Sequence, residues 1–308
     1  VNEKRCFISE VFVSMRNISC IIGLCVFCST IATGGSAFLD AATAPAYNQH
    51  LSRVRFLPEE PMVKVLLAKD QEGFMVDVKG SHNIYDPYSG KKLDADFTGS
   101  SYYMTPTTDG VKWGQEFPGV FQITIVPDEP SAGVFINGIA YPGAVTFYEI
   151  GNRLTAVNWI SLDDFTSSIF STNFLPKETD QREALAAYGI AIRTKAYEQL
   201  NTGHSPYWDV SAEGCGYRGN AVVRFDEPFR EAMKATKRIV MVGNGTTPAS
   251  GTGFDKKTIE DIYQRMPIAD TQSMAKDGKD ARIILHKFFP DQNLMMVEAK
   301  PVFRETTP

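Results

Sequence analysis

The chain has 308 residues, 43% of them hydrophobic and 22% charged, with a formal net charge of −5. That is the composition of an ordinary globular protein, long enough for one large domain or two smaller ones. The mild acidity and the lack of a dense Lys/Arg stripe exclude a nucleic-acid footprint.

Residues 1–16 carry Lys4, Arg5 and Arg16 and read as a cytoplasmic flank. Residues 17–39 hold no charge and contain the apolar run ISCIIGLCVFCSTIA, which Asp40 follows. A basic flank, an apolar run and then small residues is the order of an export signal. Two readings stay open: a signal peptide cleaved near Ser36 and Ala37, or a retained anchor. Either one makes the membrane a partner of residues 17–39 and the remainder extracytoplasmic. Four of the five cysteines lie in or before this segment, so an exported body with Cys215 alone forms no internal disulfide.

Residues 40–59 read as a linker. From 60 to 160 the pattern is mostly β. VKVLLA (63–68) and GFMVDVKG read as strands, and Asp86-Pro87 and Ser89-Gly90 as turns. GVFQITIVP alternates apolar and polar residues. Asn137-Gly138 between apolar runs predicts a hairpin, and Gly151-Asn152 a second one.

The character changes near Leu162. Residues 167–179 read as a polar loop carrying Asn173 and Glu178. A helix then follows, with Asp180 and Glu183 at capping-box spacing and a surface of Ala186, Ala187, Gly189 and Ala191. Such a small-residue helix is expected at the centre of the domain. Further helices are predicted over PFREAMKAT, KKTIEDIYQRM and the two halves of SMAKDGKDARIILHKFFPD, with a strand in KRIVMVGNG. Residues 298–308 read as a tail. The expected fold is therefore α+β: a mostly antiparallel β part (60–160) packed against a helix-containing part (161–297) that carries the cleft.

The Gly-rich stretch 243–253 lacks a Gly-Lys-Ser/Thr signature, and no Ser lies in a G-x-S-x-G context. His204 and Cys215, with Asp209 and Glu213 between them, do not complete a zinc set, so no metal or cofactor is expected. Tyr207, Trp208 and Tyr217 lie near Arg218. Exposed rings beside polar groups suit sugars, and buried rings would be core; both readings stand. Arg193, on the small-residue helix, needs a carboxylate, a carbonyl or a ligand, and Asp163 or Asp164 would serve as an ion-pair partner.

The order of four pieces resembles the stage II sporulation protein D (SpoIID/LytB) family. Asn158, Leu162, Asp163, Phe165 and Ile169 match its first motif. Glu183, Ala184, Leu185, Ala187, Ala191, Arg193, Thr194 and Ala196 match its "EALKAQAvAARTYA" segment. Asp209, Val210, Tyr217 and Gly219 fit the third piece, and TQSMAKDGKDARIILHKFFPDQNL fits the last; the opening VKVLLA also matches. The similarity spans roughly residues 60–297. It implies an extracytoplasmic, periplasmic protein acting on peptidoglycan glycan strands denuded of peptide, as a lytic transglycosylase. An amidase that strips the peptide stems is the implied functional partner.

The resemblance places the family's catalytic Glu at Asn173. An amide can neither donate nor accept the proton that glycosidic cleavage requires. Glu178, in a loop two residues longer than usual, is the candidate replacement, with Arg193, Tyr188, Tyr217, Cys215 and Trp208 as candidate substrate-binding residues. Tyr188 and Cys215 stand where the family has Gln. The alternative is a catalytically silent peptidoglycan-binding or scaffold protein.

Overall fold

The computed structural model describes residues 60–93, 101–129, 133–173, 181–202, 205–220, 226–243 and 253–297, all within one compact unit. The expected signal or anchor segment, the linker, the C-terminal tail, Glu178, Asp180 and His204 lie outside them.

Strands come first: β1 (Met62–Gln71), β2 (Phe74–Lys79), β3 (His82–Tyr85), β4 (Lys92–Leu93), β5 (Tyr102–Thr107) and β6 (Gly110–Trp113). They continue with β7 (Gln115–Pro118), β8 (Gln122–Pro127), β9 (Gly133–Ile136), β10 (Ile139–Tyr141), β11 (Ala144–Glu149) and β12 (Leu154–Ser161). Helices dominate afterwards: α1 (Leu162–Asn173), α2 (Arg182–Thr202), β13 (Val210–Ser211), α3 (Ala212–Cys215) and α4 (Glu227–Ala235). The described chain closes with β14 (Ile239–Gly243), α5 (Lys256–Arg265), α6 (Ile268–Lys276), α7 (Ala281–Phe288) and β15 (Gln292–Met296). The fold is α+β.

The larger sheet has the order β13-β1-β12-β11-β8-β3-β4, antiparallel except where β13 joins β1. A second sheet, β10-β9-β2-β5-β6-β7, covers part of one of its faces. Side chains from both fill the space between them, among them Phe74, Trp113, Ile125, Phe147 and Leu154. Alternation along β12 sends Leu154 and Ala156 into this sandwich and Ile160, on the same face, into a helical core. Val63 and Val65 of β1 join Ile160 there. The two predicted hairpins form, with Asn137 and Gly138 at φ 50° and 84°, and Gly151 and Asn152 at 61° and 62°.

α2 is the hub of the helical layer. Every residue from Ala184 to Thr194 is buried, and α1, α4, α5, α6, α7 and β14 all pack on it. A helical stretch apolar all round, as residues 184–192 are, belongs inside a domain. At Gly189 an added Cβ would lie 2.4 Å from the Met233 Cε of α4, so glycine lets that helix come close.

One expectation is overturned. Ser167–Asn173 is not loop but the second half of α1. Its hydroxyls turn inward along the backbone: Thr166, Ser167, Ser171 and Thr172 donate to the carbonyls of Leu162, Asp163, Ser167 and Ser168. Leu162, Phe165, Ile169 and Phe170 form the buried stripe. The Ser161 hydroxyl caps the helix, accepting from the Asp164 N–H at 3.0 Å.

Candidate functional site

Asn158 sits on β12 at the seam between the sandwich and the helical core. Its Nδ2 donates to the carbonyls of Pro142 (2.8 Å) and Ala144 (3.0 Å). Its Oδ1 accepts from the Tyr217 hydroxyl at 2.6 Å. Tyr217 lies against Phe165 and Tyr141, with ring centroids 5.8 and 6.2 Å away. Burial pushes its phenol well above the ordinary value. Gly219, just beyond, has φ 58°, and a Cβ there would stand 2.3 Å from the Ala140 carbonyl oxygen. Only glycine fits both conditions.

Arg193 is fully buried, with Nε 2.7 Å from Asp163 Oδ1 and Nη1 donating to the Ile239 carbonyl at 3.3 Å. At 2.7 Å the Asp163 carboxylate is the countercharge of this buried guanidinium. Burial lowers the guanidinium's pKa, and Asp163 works against that shift. Asp163 also accepts from the Arg238 N–H at 3.2 Å, which ties α1 to the strand entering β14. The ion-pair role expected for Arg193 is thus filled within the chain.

Tyr188 is equally enclosed. Its hydroxyl donates to the Met266 carbonyl at 2.6 Å and lies 3.3 Å from Thr271 Oγ1, and burial raises its pKa to about 12. Cys215 ends α3 as a buried thiol outside any disulfide, also pushed up to about 12 by burial. That shift favours the protonated thiol at neutral pH. Among the described residues no three His, Cys, Asp or Glu gather at metal-binding spacing.

The aromatic group read in the sequence is divided by the larger sheet. Successive strand residues point to opposite faces. Asn158 and Tyr217 are on the helical face, whereas Trp159 belongs to the opposite one with Leu66, Tyr148 and Val157. Trp208 and Tyr207 pack there, their rings 6.2 Å apart, and Tyr207 meets Tyr148 edge-on at 5.5 Å. Trp208 therefore does not share a site with Tyr217, Arg193 or Tyr188. Of the two catalytic candidates, Asn173 is the last residue of α1, and Glu178 lies outside the described residues.

A buried pair escaped the sequence reading. On that opposite face Lys64 Nζ lies 3.8 Å from Asp209 Oδ1 and donates to the Pro206 carbonyl, while Asp209 Oδ2 accepts the Lys64 backbone N–H at 2.7 Å. Burial lowers the pKa of Lys64 and raises that of Asp209; each partner's charge acts against the other's shift. The signal was present: a lysine at an alternating position inside the apolar run VKVLLA (63–68).

No protein-family model matches the chain, and no solved structure matches it. It is similar to a protein of Chlamydia muridarum, 29% identical over 287 residues, 92% of each chain. A protein of Chlamydia pneumoniae is 28% identical over 242 residues, 78% of this chain and 83% of that one. One from Brachyspira hyodysenteriae is 24% identical over 190 residues, 61% and 50%. All three are described only as uncharacterized proteins.

Proposed function

We propose that this chain is an extracytoplasmic peptidoglycan-binding and remodelling protein, lytic-transglycosylase-like, acting on glycan strands stripped of peptide. One observation carries the reading. The four separated stretches that resemble the family are joined to one another in space. Asn158 of the first accepts from Tyr217 of the third, and Asp163 of the first pairs with Arg193 of the second. Glu183 of the second accepts from the Ala281 N–H of the fourth at 3.0 Å, and Tyr188 reaches Thr271 of the fourth. A scaffold shared with that family would need such joints between its motifs.

On this reading Arg193, Tyr188, Tyr217 and Cys215 build the frame and do not touch sugar. The chemistry belongs to the chain between α1 and α2, which starts from Asn173 and rejoins the frame at Arg182. Cleavage needs a carboxyl group that protonates the glycosidic oxygen and a base that then takes a hydroxyl proton from the sugar. Glu178 is the acid that this segment offers.

The test is incubation with denuded glycan strands and mass spectrometry for anhydro-muramyl ends. Wild type is expected to yield them. Glu178→Gln is expected to lower the rate at least ~100-fold with little change in glycan affinity, since it removes a proton and little shape. Full activity in Glu178→Gln would remove that residue from the mechanism. The second reading, a silent glycan-binding protein, draws on the amide at Asn173. It gains if wild type binds without cutting and Asn173→Glu creates cleavage. A wild type that neither binds nor cuts glycan ends both readings.

A further inference from the structure

Among the described residues, the two-stranded sheet β14-β15 has one blocked edge and one open edge. Val297 donates its N–H to the Arg238 carbonyl at 2.8 Å, which fixes the phase of the antiparallel ladder. The main-chain groups of Met295 then face β14, and those of Leu294 and Met296 face away. On the β14 side, the outward groups are taken by α2: Met241 N–H donates to Thr194 Oγ1 at 2.8 Å, and the Ile239 carbonyl accepts from Arg193. On the β15 side, Leu294 and Met296 have no hydrogen-bond partner among the described residues. These two residues and Met295 are 37%, 63% and 40% exposed.

Native edges are normally guarded by charge, proline or a bulge. β15 has none of these, and the run QNLMMV from Gln292 to Val297 is uncharged. A groove of about 480 Å³, lined by Ile283, His286, Phe289 and Leu294 among others, runs beside it.

We propose that β15 pairs antiparallel with β15 of a second copy of this chain, across a two-fold axis at Met295. The register follows from the available groups. Gln292 already gives its N–H to the Phe289 carbonyl at 3.2 Å, so Leu294 and Met296 are the open positions. An axis at Met295 sets each Leu294 opposite the second copy's Met296, where the two residues exchange both backbone hydrogen bonds. The result is a four-stranded sheet, with each Leu294 beside a Met296 on one face and the two Met295 side chains together on the other. The contact is self-complementary, as a two-fold interface must be, and residues 292–297 bring no charge to the seam. The strand covers far less than the ~800 Å² per partner of a standard interface, so the dimer is weak and concentration-dependent.

The experiment uses the full chain in detergent. Sedimentation velocity over a wide concentration range should show reversible dimerisation. Met295→Lys sets two ammonium groups face to face and should weaken it by about tenfold or more, with an unchanged circular dichroism spectrum. Met295→Cys places its sulfurs in a non-hydrogen-bonded pair with Cα atoms ~4.5 Å apart, within disulfide reach. Mild oxidation should give a cross-linked peptide containing residue 295 from both copies. The proposal is overturned if wild type stays monomeric, which would leave the edge to a different extended segment. It is equally overturned if the dimer survives Met295→Lys, or if the 295–295 cross-link is absent.

Discussion

Lys64 and Asp209 show how the residue scale decides stability. Their side chains are 11% and 10% exposed, and each has its charged form disfavoured by burial. The carboxyl of Asp209 is raised above its ordinary 3.8, so the folded state holds that proton more tightly than the unfolded one. Its contribution to stability is full below the unfolded pKa and is lost as pH rises through the folded one. Lys64 is the group that limits this loss. In Lys64→Met the countercharge is gone and the carboxyl rises further. Near pH 4 the variant should be at least as stable as wild type, because it sheds the cost of burying the Lys64 charge, and it should fall behind toward pH 7, by up to about 3 kcal/mol. Urea midpoints at the two pH values read this out. A constant difference would show that Lys64 acts through packing alone.

At the same scale, the sequence made some roles legible and not others. Arg193 had to find a partner, and Asp163 was in reach because both chain positions precede or lie on helices that meet. Trp208 and Tyr217 looked like neighbours because they stand nine positions apart. A sheet runs between them, and sequence distance carries no information about which face a loop returns to. Glu178 and Asn173 owe their candidacy to chemistry and resemblance.

Elements were read well where local rules were strong. The Asn-Gly turn, the Asp280 cap that accepts from Ile283 N–H at 2.8 Å, and Gly278 at φ 77° all marked real boundaries. α1 was missed because its serines and threonines look like loop, although Ser161 and Asp164 form a capping pair at the right spacing. β5 to β7 were missed because Pro106 interrupts the first and Gly114 separates the other two. α2 was legible, and its packing supports a prediction. Gly189→Leu must displace the Met233 thioether, which already lies where a Cβ would go. Overpacking of this kind costs ~1–3 kcal/mol. For a domain of this size that lowers Tm by several degrees, since each kcal/mol is worth ~2–4 °C. Gly189→Ala meets only the flexible end of Met233 and should cost less. Equal melting points for the leucine variant and wild type would mean that α4 is not held against α2.

On the scale of the whole molecule, the β-rich and helix-containing parts share strands and so resist separation. β1 gives Val63 and Val65 to the helical core, and β12 gives Leu154 and Ala156 to the sandwich and Ile160 to the helices. Leu67 and Tyr141 pack against both cores. Asn158 stands at the junction, bonded to Tyr217 from beyond α2 and to the carbonyls that lead into β11. If the helical layer unfolded first, it would expose Val63, Val65, Ile160 and the polar atoms of Asn158 together, and β1 and β12 would lose the face that orders their ends. Unpaired buried polar groups and exposed core side chains both oppose such an intermediate. Calorimetry should therefore show one endothermic transition, with the van't Hoff and calorimetric enthalpies in agreement. Asn158→Leu, which removes the link to Tyr217 while keeping similar volume, should lower the midpoint without splitting the peak. Two resolved transitions in wild type would show that the sandwich and the helical layer are separate folding units that happen to be joined at β1 and β12.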